Sequence, residues 1–415
     1  MNGRQTVHYD IPPLANCGIT LSTNPKSRVS KRRPAACFPK LQPPARVTVS
    51  PISSMQYPHF TPMTRRHALR QTVFYSAALA LAGRIPSVEA QSIAPGDHHF
   101  LMLGDFGSHG QKPEHTIEPQ IEPNAPAGAP FPTTITVKPN WTPQQSAVAA
   151  AMQSYTQAHG FSPTGLFLLG DNFYGSFKGG VNCPRWKTGF EDMYPASAFP
   201  GPCWAMLGNH DYDEESGLKM AAQLEYAEAH PGTRWMMPSK WYRVDWPAKD
   251  PIVTCLILDS NYKNGYLYLT SEEKAKQLKW LKAELAKPRT APWMICMAHH
   301  PIYSNGMHGD NNALIKEWLP LLEQNNVAFY FSGHDHDLQH LEFEGSKTSF
   351  VISGGGGAHI TNLKKPGRSH FSQSVNGFTH LQVNRQKIIV RHIDTKGMQL
   401  YAFSKTPEGK IEVSA

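Results

Sequence analysis

At 415 residues the chain can bury a large core, and its length admits one large domain or two or three average ones. A formal charge of +8 would suit a polyanionic partner, but 12 of the 40 Lys and Arg lie in residues 1–90, where Asp10 and Glu89 are the only acids. The remainder carries 28 basic against 30 acidic side chains, a net of −2, which gives no reason to expect nucleic acid.

Residues 1–62 are rich in Pro, Ser and basic residues without periodicity and read as disordered, or as an extension outside the mature protein. From Met63 the run MTRRHALRQTVFYSAALALAG pairs Arg65 with Arg66, continues through apolar residues 73–82 and leads to Val88-Glu89-Ala90. This has the form of a twin-arginine export signal over 63–90, with Met63 a plausible start and cleavage near Ala90. The apolar run falls short of the ~20 residues a span needs, so the expectation is a periplasmic or secreted protein with no stable membrane anchor. Its partner there would be the export machinery.

Residues 91–415 read as a single catalytic domain. HFLML (99–103) is the first core strand and ends in Gly104-Asp105-Phe106-Gly107. Residues 108–140, dominated by Pro, Gly and Thr, read as a long surface loop. Thr142-Pro143-Gln144-Gln145 predicts a helix with Thr142 as N-cap in a capping box. Strand 165–169 follows and ends in Gly170-Asp171-Asn172-Phe173-Tyr174. Strand 203–207 precedes Gly208-Asn209-His210-Asp211, and a helix is predicted within 218–230. Strands 241–246 and 252–258 come next. A helix opens at Thr270 with a capping box, and strand 293–297 ends in Ala298-His299-His300-Pro301. One amphipathic helix is predicted over 313–324, then a strand over 327–331 ending in Gly333-His334-Asp335-His336. The last third alternates strands with turns, and Gly354 to Gly357 reads as a flexible turn near the site.

Of the cysteines beyond residue 90, Cys255 and Cys296 lie in apolar runs and read as packed free thiols. Cys183 and Cys203 flank a loop-rich segment and either pair in an oxidising compartment or stay free, depending on a Cα separation that sequence does not give.

Five motifs thus follow apolar strands and supply Asp105, Asp171, Tyr174, Asn209, His299, His334 and His336. Carboxylate, amide, imidazole and phenol together suit a pair of cations, one hard and trivalent, one divalent. Tyrosine is an uncommon ligand, and holding it as phenolate at neutral pH calls for an acidic cation such as ferric iron. No one motif is specific; their joint order is.

GDFG, GDNFY, GNHD, AHHP and GHDH occur in the order of the metallophosphoesterase superfamily, and the chain resembles its purple acid phosphatases, most closely the small, tartrate-resistant type. Other superfamily members generally place a histidine where Gly107 stands; here Tyr174 appears instead. WKTGFEDMYP, KQLKWLKAEL and NVAFYFSGHDH extend the likeness over about residues 100–357. The resemblance implies an α/β fold, a four-layer αββα sandwich of two mixed sheets flanked by helices. It implies a ferric ion on Asp105, Tyr174 and His336, with Asp171 bridging. A divalent iron, zinc or manganese ion would sit on Asn209, His299 and His334. It further implies hydrolysis of small phosphate monoesters at acid pH by metal-bound hydroxide, with His210 as general acid and His308 facing the substrate. His300 stands where the family has Tyr, Ala313 where mammalian members carry a disulfide Cys, and the connection 261–269 is short. The alternatives are a phosphodiesterase or nucleotide pyrophosphatase on the same metals, and a non-catalytic exported metal- or phosphate-binding protein. His98, His230, His340, His359, His380 and His392 read as structural.

Overall fold

Apolar runs of four to seven residues, each followed by a glycine or polar turn, become strands buried on both faces, as parallel sheets covered by helices require. The computed structural model describes residues 96–109, 143–213, 217–262, 268–365, 367–368 and 370–414. All of them fall in a compact unit that includes Ser92–Ala415. The predicted leader over 1–62, the export signal over 63–90 and nearly all of the predicted 108–140 loop lie outside the described residues.

One sheet has eight strands. Its parallel half is β1 (His98–Leu103), β2 (Gly165–Leu168), β3 (Cys203–Ala205) and β4 (Trp235–Met236). Its antiparallel half adds β12 (Gly377–Val383), β13 (Ile388–Asp394), β14 (Gln399–Lys405) and β15 (Ile411–Ser414), with β12 beside β1. The other sheet has seven strands. β5 (Tyr242–Trp246) pairs antiparallel with β6 (Val253–Ile257). β6, β7 (Trp293–Met297), β8 (Phe329–Ser332) and β10 (Ser349–Ser353) run parallel. β9 (Leu338–Leu341) and β11 (Phe371–Gln373) close that edge antiparallel.

Strand alternation divides the core into three parts and so yields the four layers expected. Phe100 and Met102 of β1 face Cys255, Ile295 and Phe329 between the sheets. Leu101 and Leu103 face outward against Val148 and Met152 of helix α1 (Gln145–Ala158) and Ala222 and Tyr226 of α2 (Leu218–Ala229). On the far side, Leu256 and Met294 pack on Leu281 and Leu285 of α3 (Ser271–Ala286), together with Leu314 and Trp318. No helix among the described residues is long and apolar enough to cross a membrane.

Three local expectations change and one open alternative is settled. Helix α1 starts at Gln145, its N-cap is Gln144 without a side-chain cap bond, and Thr142 lies outside the described residues. Gln145 is instead recruited by tertiary partners: its Oε1 accepts from His109 N at 2.9 Å and its Nε2 donates to Gly189 O at 2.8 Å. The helix predicted over 313–324 is two, α4 (Asn312–Glu317) and α5 (Leu319–Gln324), because Pro320 has no N–H to continue the first. Cys183 and Cys203 are both buried free thiols, as are Cys255 and Cys296. Gly354 to Gly357 is buried and wedged rather than loose: a Cβ on Gly354 would lie 2.0 Å from Asp335 O, and one on Gly356 2.2 Å from Gly104 O. The capping box at Thr270 forms as expected, with Glu273 N donating to its hydroxyl at 3.1 Å.

Candidate metal centre

Register sets the site. Leu103 is level with Leu168, Leu168 with Ala205, and in the second sheet Met297 with Phe331. The carboxyl ends of parallel strands from both sheets therefore open onto one crevice, where open α/β sheets place their ligands. At these ends the chain turns sharply. Asp105 (φ 59°), Asp171 (φ 52°) and His334 (φ 70°) are three of the five non-glycine residues with left-handed backbone among those described. Each such residue costs on the order of 1 kcal/mol and persists only where its surroundings impose it. Glycine lets the turns meet: Gly333 packs so closely that an added Cβ would lie 2.4 Å from Asp105 Oδ2, and one on Gly208 2.2 Å from Asp171 Oδ1.

All seven candidate ligands come together. Atoms of Asp105, Asp171 and His336 lie within 4.8 Å of one another. The Tyr174 hydroxyl is 3.4 Å from Asp105 Oδ1 and 3.2 Å from His336 Nε2. His299 Nε2 is 3.5 Å from Asp171 Oδ1, 3.1 Å from Asn209 Oδ1 and 3.3 Å from His334 Nδ1. Two rings are locked from behind by carbonyls, which only accept. His336 Nδ1–H donates to His359 O at 2.6 Å and His299 Nδ1–H to Leu169 O at 2.9 Å, so each presents Nε2 to its neighbours.

The electrostatics call for positive charge. Burial drives the Asp105 carboxyl well above its usual range and Asp171 adds to the push, against the pull of His299 and the His334 amide. Burial also raises Asp171, but His299 and His210 outweigh it and hold it low. Burial and then the two carboxylates keep the Tyr174 phenol far from ionising. Burial and the surrounding imidazoles keep His334 neutral, and burial brings His336 down to about 4. Carboxylates, an amide, a phenol and neutral imidazoles gathered out of water form a donor set that fits a pair of hard and borderline cations.

His210 and His308 flank this set. The His210 ring lies 4.7 Å from that of Tyr174, and its Nδ1 is 3.0 Å from Asp213 Oδ2. Burial lowers its affinity for a proton, yet Asp171 and Asp213 together raise it above the ordinary histidine value. The His308 ring packs, tilted, 4.1 Å from that of His334, and its Nδ1 donates to buried Asp335 at 2.8 Å. His300 packs 4.3 Å from His334 and bonds the Ser260 hydroxyl at 2.9 Å.

Sequence reasoning missed the residues behind the ligands. Asp211 accepts from the amides of Gly208, Asn172 and Phe173 and from Gln223, tying two ligand turns together. Arg185 donates to the carbonyls of Tyr174 at 2.5 Å and Gly107 at 2.9 Å. His359, read as structural, holds His336 through its carbonyl. Only Asp211 and Asp335, inside the motifs, carried a signal.

The Calcineurin-like phosphoesterase family matches residues 142–338. Tartrate-resistant acid phosphatase type 5 of Oryctolagus cuniculus is 30% identical over 263 residues, covering 57% of this chain and 77% of that relative. The chain belongs to the purple acid phosphatase family. Purple acid phosphatase 7 of Arabidopsis thaliana is likewise 30% identical over 252 residues, covering 58% and 75%. Among solved structures, GAP50, the anchor in the inner membrane complex of Plasmodium, shares the fold with a TM-score of 0.58 at 22% identity, covering 77% of this chain and 90% of that one. As a purple acid phosphatase, the chain is a metal-dependent phosphoric monoester hydrolase with the calcineurin-like fold.

Gly333→Ala tests the packing of the centre. The new methyl must displace Asp105, so we expect a loss of about 1–3 kcal/mol in stability and weaker metal retention on dialysis, read by metal analysis. Unchanged metal content would contradict the geometry.

Proposed function

We propose that this purple acid phosphatase hydrolyses small phosphate monoesters at acid pH with a binuclear centre of Fe(III) and a divalent iron, zinc or manganese ion. Asp105, Tyr174 and His336 would hold the ferric ion, Asn209, His299 and His334 the divalent one, and Asp171 both. The placement of the Tyr174 phenol beside Asp105 and His336 carries this reading, because a buried phenol among carboxylates ionises only against a strongly acidic cation. When bound, the two cations supply neutralisation of phosphoryl charge and an activated water for in-line attack. His210 holds a proton and delivers it to the leaving alkoxide. His308, with Nδ1 committed to Asp335, offers Nε2 to a phosphoryl oxygen.

We further propose that the chain is exported through the Arg65-Arg66 signal and cleaved near Ala90 to a periplasmic or secreted form, with the export machinery as its transient partner. The apolar stretch over 73–82 supports this reading.

Purified protein is expected to absorb in the visible through a tyrosinate-to-iron transition that Tyr174→Phe abolishes. A colourless, iron-free and fully active enzyme would refute the ferric assignment and leave the phosphoesterase one standing. His210→Ala should lower turnover of alkyl phosphates by about 10²-fold or more and that of activated aryl phosphates far less; equal losses would argue against its acid role. Replacing Arg65 and Arg66 by Lys should retain the protein in the cytoplasm, as followed by cell fractionation, and unaltered export would contradict the proposed route.

A further inference from the structure

Lys219, the second residue of α2, has a fully buried side chain that the hydrolytic scheme does not use. Its ammonium donates to Phe173 O at 3.0 Å, to His210 O at 2.7 Å and to Asp213 Oδ1. All three of its hydrogens are thereby engaged. Phe173 immediately precedes the candidate ligand Tyr174, and His210 immediately follows the candidate ligand Asn209. One amine therefore joins the turns after β2 and β3. One helical turn on, Gln223 accepts from Asn172 Nδ2 at 2.9 Å and donates to Asp211 at 3.0 Å, so the same face of α2 grips the same pair of turns twice. Asp213 completes the arrangement: one carboxylate oxygen takes Lys219 and the other lies 3.0 Å from His210 Nδ1.

We propose that Asp213 and Lys219 are a positioning pair for the His210 imidazole. Asp213, acceptor-only when ionised, takes the Nδ1–H and so dedicates Nε2 to the substrate side. Lys219 fixes Asp213 from the side remote from the ring and anchors the His210 backbone, so neither the carboxylate nor the ring is free to rotate away. A proton donor placed this way is ready for the leaving oxygen without reorganisation. This rests on the proposed role of His210 as general acid and extends it to two residues outside all five strand-end motifs.

The test compares an alkyl phosphate, whose leaving oxygen needs a proton, with 2,4-dinitrophenyl phosphate, whose leaving oxygen does not, using metal-loaded enzyme. In Asp213→Asn the ionised acceptor is lost, and the amide can turn its N–H toward Nδ1 and push the ring out of its orientation. We expect kcat on the alkyl ester to fall about 10- to 100-fold, part of the contribution of a general acid. KM and metal content should hold, and kcat on the aryl ester should stay within about threefold. Asp213→Glu, which keeps the carboxylate, should recover part of the loss. In a His210→Ala background the Asp213→Asn change should cost nothing more on either ester. Uniform loss on both esters, no loss on either, or a further loss in the His210→Ala background would overturn the pair. If Asp213→Asn does not fold, Asp213→Ala and Lys219→Met carry the same comparison. A selective defect in His210→Ala that Asp213→Asn lacks would refute the positioning pair alone. No selectivity in His210→Ala would refute the acid role and the pair with it.

Discussion

Two carboxylates buried side by side, Asp105 and Asp171, govern this structure. Removed from water and close enough to repel each other, they are tolerable only where positive charge or strong donors offset them. Backbone amides supply part: His334 N donates to Asp105 and His210 N to Asp171, each at 2.8 Å. These bonds require left-handed turns at the carboxyl ends of β1, β2 and β8, and the turns require glycines to pass one another. The layered sheets bring those ends level. The centre is thus less a pocket lined with ligands than the place where two sheets finish together.

Behind the candidate ligands stands a shell of fixed acceptors. Carbonyls of Leu169 and His359 choose which nitrogen His299 and His336 present, and carboxylates of Asp335 and Asp213 do so for His308 and His210. Two of the three imidazoles of the candidate ligand set, His299 and His336, answer to backbone, and the flanking His210 and His308 answer to acids. Backbone carbonyls leave a ring neutral and ready as a donor to a cation, whereas a carboxylate favours a ring that carries a proton. The partition follows the two kinds of work asked of histidine in one cleft.

The strands and candidate ligands were legible in the sequence because both leave local marks: an apolar run, then glycine and a polar residue. Asp105, Asp171, Asn209, His299 and His334 all sit within two residues of such a glycine or strand end. Lys219, Arg185 and His359 were not legible, since each acts on turns that only the fold brings beside it and none falls on a periodic pattern. Arg185 reaches back 78 residues to Gly107 O. The helix at 145 was misread because Gln145, a suitable capping residue by type, serves the tertiary structure instead. The expected single helix at 313–324 overlooked the weight of one proline. The turn at Gly354 to Gly357 reads as loose because glycine permits freedom, but here it permits contact.

A gate of hydrogen bonds joins Ser108 and His109 to the start of helix α1. At that gate His109 N donates to Gln145, Ser108 Oγ and Gln144 N both donate to Gly357 O, and Arg185 holds the carbonyls of Gly107 and His109. Ser108, His109, Gln144 and Gln145 are therefore clasped to one another and to Gly357. Closing a longer or shorter segment over a clasped base changes the free energy only slowly with length, about 0.6 kcal/mol per doubling. Residues 110–142 can therefore change in length and composition at little cost to the fold, while the Asp105 turn a few residues upstream stays in place.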